Sequence, residues 1–170
     1  MSDGDPIRPA STPTSQPPQI DQAVVTLSAL VVDDEPANCD FCVRLLQQTK
    51  LNVKGASSGQ EALDLSKAMD NLALIVIDHR LPDMSGVELL AQMRTRFPHA
   101  MIIMATMHDE RSLMDEAFKT GCDVFLVKPH GFMELYKRLK TTPPGGGDTH
   151  EKIIIDQYGP RPYHQPGAPA

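Results

Sequence analysis

The chain has 170 residues, 22 of them acidic and 16 basic, for a formal net charge of −6; that is room for one ordinary hydrophobic core and too little for two. The nearest approach to a basic stripe, Lys137, Arg138 and Lys140, reads as a solvated helix end, so nucleic acid is excluded as a partner. No apolar run nears the roughly 18 residues of a membrane span, and Met1-Ser2-Asp3-Gly4-Asp5-Pro6 lacks a charged-then-apolar secretion signal. A cytoplasmic protein without membrane contact is expected, with Cys39, Cys42 and Cys122 reduced, because an odd number of cysteines in such a chain argues against a disulfide framework.

Eleven of the 15 prolines lie in residues 1–20 and 141–170, where the composition cannot bury enough apolar surface to fold. Residues 1–26 are therefore expected to be a disordered Pro-rich tail, 27–140 the folded domain, and 141–170 a disordered Gly/Pro-rich tail. Within the second tail, Lys152-Ile153-Ile154-Ile155-Asp156 is an apolar island. An added strand or a partner motif would explain it, and a disordered extension is the reading retained.

Inside 27–140, five short runs rich in β-branched residues read as strands: Ala29–Val32, Val53–Ala56, Leu74–Ile77, Met101–Ala105 and Asp123–Val127. Each is followed by a helical pattern. The apolar faces, in chain order, are Phe41, Cys42, Leu45 and Leu46; Ala62, Leu63, Leu65 and Met69; Val87, Leu90, Met93 and Phe97; Leu113, Met114, Ala117 and Phe118; and Phe132, Leu135, Tyr136 and Leu139. The first helix carries a C-x-x-C pair, with Cys42 on the apolar face and Cys39 expected toward solvent; ordinary packing is preferred over a redox or metal pair.

Five βα units with nearly continuous apolar strands such as Ala73-Leu74-Ile75-Val76-Ile77 predict a parallel sheet covered on both faces. Right-handed crossovers reach both faces only if strand order reverses once. One common order, 2-1-3-4-5, puts the switch point between strands 1 and 3. In that order, Asp33 and Asp34, Asp78, Thr106 and Lys128 stand at the carboxyl ends of neighbouring strands, on the rim where open α/β sheets bind ligands. Three clustered carboxylates either hold protons or bind a hard divalent cation, and Mg2+ is the natural choice because it leaves positions for a phosphate oxygen. Lys128 would then neutralise a phosphoryl group and Thr106 donate to it, leaving Asp78 as a candidate nucleophile toward phosphorus.

The stretches VVDDEP at Val31–Pro36, IDHRLPDMSG at Ile77–Gly86, Thr106 after an apolar strand, and FLVKP at Phe125–Pro129 resemble the receiver domain of bacterial response regulators. The resemblance runs from about 27 to 140 and implies a flavodoxin-like, five-stranded doubly wound α/β fold. It further implies that Asp78 is the phosphoacceptor, that Asp34 is a direct Mg2+ ligand with Asp33 a more remote acidic partner, and that the backbone carbonyl of Arg80 is another ligand. Thr106 would be the switch hydroxyl, Lys128 the phosphoryl-binding ammonium and Phe125 the switch aromatic, with a cis Lys128–Pro129 bond. The phosphoryl donor would be a histidine kinase or phosphotransfer protein. An output protein would bind the face of the fourth helix, fifth strand and fifth helix, and a homodimer is allowed. Such a single-domain regulator is no enzyme beyond assisting its own Mg2+-dependent phosphorylation and dephosphorylation.

Met107 is larger than the alanine or glycine usual after the switch hydroxyl, which predicts slow phosphotransfer. Arg80 and His108 stand where this family tunes access of water to the aspartyl phosphate, and either lengthen its lifetime or orient the water. His79 reads as a packing residue pointing away from Asp78. A phosphatase of the haloacid-dehalogenase kind would want an aspartate at position 80, where Arg80 stands. The competing reading is a degenerate receiver that binds partners regardless of phosphorylation.

Overall fold

The computed structural model describes residues 25–144 and 151–167, together with Gly4; the expectation of disorder for the N-terminal tail falls almost wholly outside these residues. The elements are β1 (Ser28–Val32), α1 (Pro36–Gln47), β2 (Asn52–Ala56), α2 (Gly59–Lys67), β3 (Leu72–Asp78), α3 (Gly86–Arg96), β4 (Met101–Thr106), α4 (Arg111–Thr120), β5 (Val124–Val127), α5 (Gly131–Thr141), β6 (Ile153–Asp156) and β7 (Gly159–Pro162). They form one sheet in the order β2-β1-β3-β4-β5-β6-β7, parallel throughout except for the antiparallel β6–β7 pair.

Strand residues alternate between two apolar layers. Leu30, Ile75, Ile77, Ile102, Met104 and Phe125 pack beneath α2, α3 and α4, whereas Val31, Val76, Ile103, Ala105 and Leu126 pack beneath α1 and α5. Both faces are covered, as the uninterrupted apolar strands require. The register sets strand ends side by side: Val32 lies opposite Ile77, Asp78 opposite Ala105 and Thr106 opposite Val127.

Local chemistry starts and stops the helices. Pro36 opens α1, Ser58 accepts from the Glu61 N–H at 3.1 Å to cap α2, and Ser85 with Glu88 forms a reciprocal capping box on α3, satisfying donors that a helix start leaves unpaired. α4 ends at Gly121, whose φ of +126° suits a residue without a Cβ. Arg94 gathers the neighbouring turns: its guanidinium donates to the carbonyls of Gly121 and Ala100 and pairs with Asp123 at 2.6 Å.

Three expectations need correction. The segment 141–170 is not wholly irregular: residues 153–162 form β6 and β7, so the sheet has seven strands rather than five. Ile153 and Ile155 enter the α5-side layer and Ile154 the opposite one, because an interior strand buries both of its faces; the overall Gly/Pro composition hides so short an apolar run. Phe41 is 49% exposed and meets Phe132 edge-on at 6.0 Å, rather than joining the buried face of Cys42, Leu45 and Leu46. Cys39 leans onto β2 instead of into solvent, so close that a Cβ on Gly55 would lie 2.8 Å from its Sγ. All three cysteines are free thiols, and burial raises the pKa of Cys39 and pushes those of Cys42 and Cys122 up to about 12, which keeps them protonated.

Candidate functional site

β1 ends into Asp33 and Asp34, β3 ends on Asp78, β4 ends on Thr106, and β5 runs out one residue before Lys128. One carboxylate oxygen from each of Asp33, Asp34 and Asp78 can be chosen so that all lie within 4.8 Å of one another. Asp33 and Lys128 are buried, Asp78 is half-buried and Asp34 is exposed, so the cluster opens toward solvent on the Asp34 side.

Lys128 spans the acids. Its Nζ lies 2.5 Å from Asp33 Oδ2 and 3.6 Å from Asp78 Oδ2, and the other oxygen of Asp33 accepts from the Glu35 N–H at 2.9 Å. Three carboxylates against one ammonium leave an excess of negative charge in a partly buried rim, which favours proton uptake or a hard cation. Asp78 registers that environment: burial lifts its carboxyl above the usual range, Lys128 opposes this, Asp33 and Asp34 reinforce it, and a hydrogen bond from the Arg80 N–H works with Lys128.

The backbone around the rim is tied down. The Lys128 N–H donates to the Thr106 carbonyl at 2.8 Å, and the Gly86 N–H to the His79 carbonyl at 2.7 Å. A Cβ on Gly86 would fall 2.2 Å from the Asp78 carbonyl oxygen, so α3 can begin against the end of β3 only because no side chain stands there. Asp83 accepts from the N–H groups of Gly59 and Gln60 at 2.9 and 2.8 Å, latching the β3–α3 loop to the start of α2. The sequence reading missed this latch, whose partner lies 24 residues away; the Leu-Pro-Asp-Met-Ser-Gly stretch was its one signal.

Lys128 thus contacts Asp33 and Asp78 directly, and Asp34 stands with them in the acid cluster. Thr106, 1% exposed, stands at the adjoining strand end with its hydroxyl oxygen accepting from the His108 N–H at 3.1 Å. Arg80 is an exposed residue in a bridge with Ser85. Phe125 sits deeper, fully buried in mid-strand and 6.4 Å from the Phe118 ring. Met107 is 71% exposed beside the rim. The His79 ring lies 6.4 Å from that of His108, and its Nδ1 is buried without a protein partner; burial, Arg80 and His108 hold its pKa below the ordinary value. The Lys128–Pro129 bond is cis.

A doubly wound parallel sheet whose carboxyl-end rim bears an acid cluster braced by a lysine defines a class of small α/β domains built to handle an anionic group beside a hard cation. The family model for the response regulator receiver domain matches residues 29–140: the chain belongs to the receiver domain family of two-component response regulators. It is 33% identical over 111 residues to the transcriptional regulatory protein SrrA of Staphylococcus aureus, a match that takes in 65% of this chain and 45% of SrrA. The chain therefore aligns with about half the length of such relatives. A CheY-like receiver domain protein of Methanospirillum hungatei superposes with a TM-score of 0.63 at 26% identity, covering 69% of this chain and 93% of that one. The TrrA response regulator of Thermotoga maritima, solved in complex with Mg2+ and BeF, gives 0.59 at 30% identity over 68% of this chain and 98% of that one. Among the described residues, no helix is long and apolar enough to cross a membrane.

Proposed function

We propose that the protein is a response regulator whose receiver domain accepts a phosphoryl group on Asp78 and passes the signal on by protein contact or onward phosphotransfer. The observation that carries this is Lys128 bridging Asp33 and Asp78 beside three carboxylates that can converge within 4.8 Å. A carboxylate oxygen of Asp78 attacks the phosphorus of a phosphohistidine on a histidine kinase or phosphotransfer protein. A P–O bond forms as the P–N bond breaks, and the imidazole leaves with the electron pair and is reprotonated. Asp33, Asp34, Asp78 and the backbone carbonyl of Arg80 are the groups that would hold Mg2+; when bound, it supplies neutralisation of charge on the phosphoryl oxygens. The donor set fits a hard cation, being all oxygen with negative charge to spare.

In the acyl phosphate, Lys128 turns its ammonium toward the new anion and Thr106 donates to it the hydroxyl hydrogen that the contact from the His108 N–H leaves free. Phe125, on the strand that leads to Lys128, follows as the switch aromatic. Arg80 and His108 tune the lifetime of the acyl phosphate from the exposed lip, and Met107 slows entry of the donor. The protein works in the cytoplasm and has no catalytic turnover on other molecules.

The test is incubation of the protein with acetyl phosphate, with Mg2+ or with chelator, followed by intact-mass measurement alongside Asp78→Asn. One added phosphoryl group that requires Mg2+ and Asp78 is expected. A chain that takes no label from acetyl phosphate or from a phosphorylated histidine protein is instead a binding module indifferent to phosphorylation.

A further inference from the structure

The family match ends at residue 140, yet β6 beyond it is packed as tightly as the sheet itself, with Ile153, Ile154 and Ile155 4%, 4% and 0% exposed, while β7 covers its outer edge and is itself largely exposed. β6 pairs in parallel with β5, setting Ile154 opposite Phe125, and the Ile153 N–H donates to the Asp123 carbonyl at 3.0 Å. The chain then returns along β7 to lay Tyr163 on α4. The Tyr163 ring stacks on Phe118 at 4.0 Å between centroids, its hydroxyl donates to Asp115 at 2.7 Å, and the Arg111 guanidinium lies over its ring while donating to the His164 carbonyl at 2.7 Å.

β7 also closes the sheet. The Tyr163 N–H donates inward to Lys152, so by alternation positions 160 and 162 face outward, and both are proline. This edge offers no N–H there to another strand. The ladder begun at β5 is completed within the chain.

Both polar groups at the pocket that would meet a phosphoryl oxygen lead directly into what this hairpin grips. Lys128 follows β5, which β6 holds along Val124, Phe125 and Leu126. Thr106 leads through a four-residue loop into α4, which Tyr163 and His164 hold at Arg111, Asp115 and Phe118. The docked hairpin fits the arrangement in which Lys128 is engaged by Asp33 and the Thr106 hydroxyl by His108. A group on Asp78 that draws Lys128 off Asp33 and pulls on the Thr106 hydroxyl, whose hydrogen the contact from the His108 N–H leaves free to donate, disturbs β5 and α4 together.

We propose that the β5 edge and the adjoining face of α4 form a strand-accepting site occupied in cis by residues 153–163, and that occupancy of this site and phosphorylation of Asp78 oppose one another. The proposal rests on the phosphoacceptor reading above. A partner strand using this edge has to displace the hairpin, and phosphorylation makes that displacement easier. Because coupling between two binding equilibria is reciprocal, loosening the hairpin strengthens binding at the pocket by the same factor.

The test uses the full chain and beryllofluoride with Mg2+ as a noncovalent phosphoryl mimic, with acetyl phosphate labelling, in which Asp78 gains the phosphoryl group and acetate leaves, as control. In the wild type, amide exchange at Ile153–Ile155 is expected to become about tenfold faster when the mimic is bound. Tyr163→Ala, which removes the stack and the Asp115 hydrogen bond, is expected to bind the mimic several-fold more tightly. Exchange that is unchanged or slower on binding overturns the proposal even if Tyr163→Ala folds poorly, as does a folded Tyr163→Ala with wild-type affinity. A protein that neither binds the mimic nor gains a phosphoryl mass fails at the phosphoacceptor reading itself, and takes this proposal with it.

Discussion

The pocket rim lies at the end of β5 and the β6-paired edge runs along its side, and the two are held by opposite means. At the rim, Asp33, Asp34 and Asp78 are forced together around a single lysine, an arrangement of like charges that burial makes worse and that only a proton, a cation or Lys128 relieves. At the edge, β6 adds buried isoleucines and the residue after β7 a stacked tyrosine, with no charge conflict of that kind. The first region holds electrostatic tension for chemistry, while the second is ordinary burial placed where it can report on the first.

The largest effect separating the two regions belongs to Lys128. Lys128→Ala leaves the buried Asp33 without its ion partner and is expected to cost about 3–5 kcal/mol in urea unfolding. Adding Asp33→Asn should recover much of that loss, because it removes the stranded charge. If the single variant unfolds like the wild type, the rim is better hydrated than its burial implies.

At the edge, Ile155→Ala is expected to cost about 3 kcal/mol of packing, but the loss is local. Amide exchange across β6 should rise steeply while β1, β3 and β4 keep their protection, since the hairpin can detach without opening the five-stranded sheet. A uniform fall in protection would show instead that β6 is integral to the global fold.

A smaller effect of opposite sign comes from Asp78. Its carboxyl is lifted above the ordinary value of 3.8, chiefly by burial, so its stabilising contribution is present below that value and is lost as pH rises through the raised one. In chelator, Asp78→Asn is therefore expected to melt higher than the wild type at pH 7, by on the order of 1 kcal/mol, and to lose that advantage on acidification to below pH 3.8. A gain that persists in acid would assign it to something other than the carboxylate charge.

The smallest effect is at Tyr163. Tyr163→Phe keeps the stack on Phe118 and removes the hydroxyl bond to Asp115, for an expected loss of about 0.5–1.5 kcal/mol confined to the hairpin. Exchange at residues 153–155 is the readout, and no change there would mean that water replaces Asp115 without loss.

The same contrast explains what could be read from sequence. The rim was legible because its chemistry demands particular residue types at strand ends, and Asp33, Asp34, Asp78, Thr106 and Lys128 break otherwise apolar strands. The both-face burial of runs such as Ala73–Ile77 implied a doubly wound parallel sheet, whose order was then taken as the common 2-1-3-4-5. The hairpin was obscured because its apolar content is three isoleucines among prolines and glycines, and because β6 gains its burial from β5 and both flanking layers rather than from its own pattern. The half-burial of Cys39 and the exposure of Phe41 escaped for a related reason: helical periodicity assigns a face, whereas the neighbouring Gly55 and Phe132 decide how deeply each side chain sits. The Asp83 latch depends on a helix start far away in the chain, which no local pattern announces.

The central claim is that Asp78 is the phosphoacceptor. Its most direct test is peptide-level mass mapping of the chain after reaction with acetyl phosphate and Mg2+, with the acyl phosphate trapped by reduction. A single modified residue, Asp78, is expected, with no label in chelator or in Asp78→Asn. Label on His79 or on Asp33, or label that survives in Asp78→Asn, would contradict it.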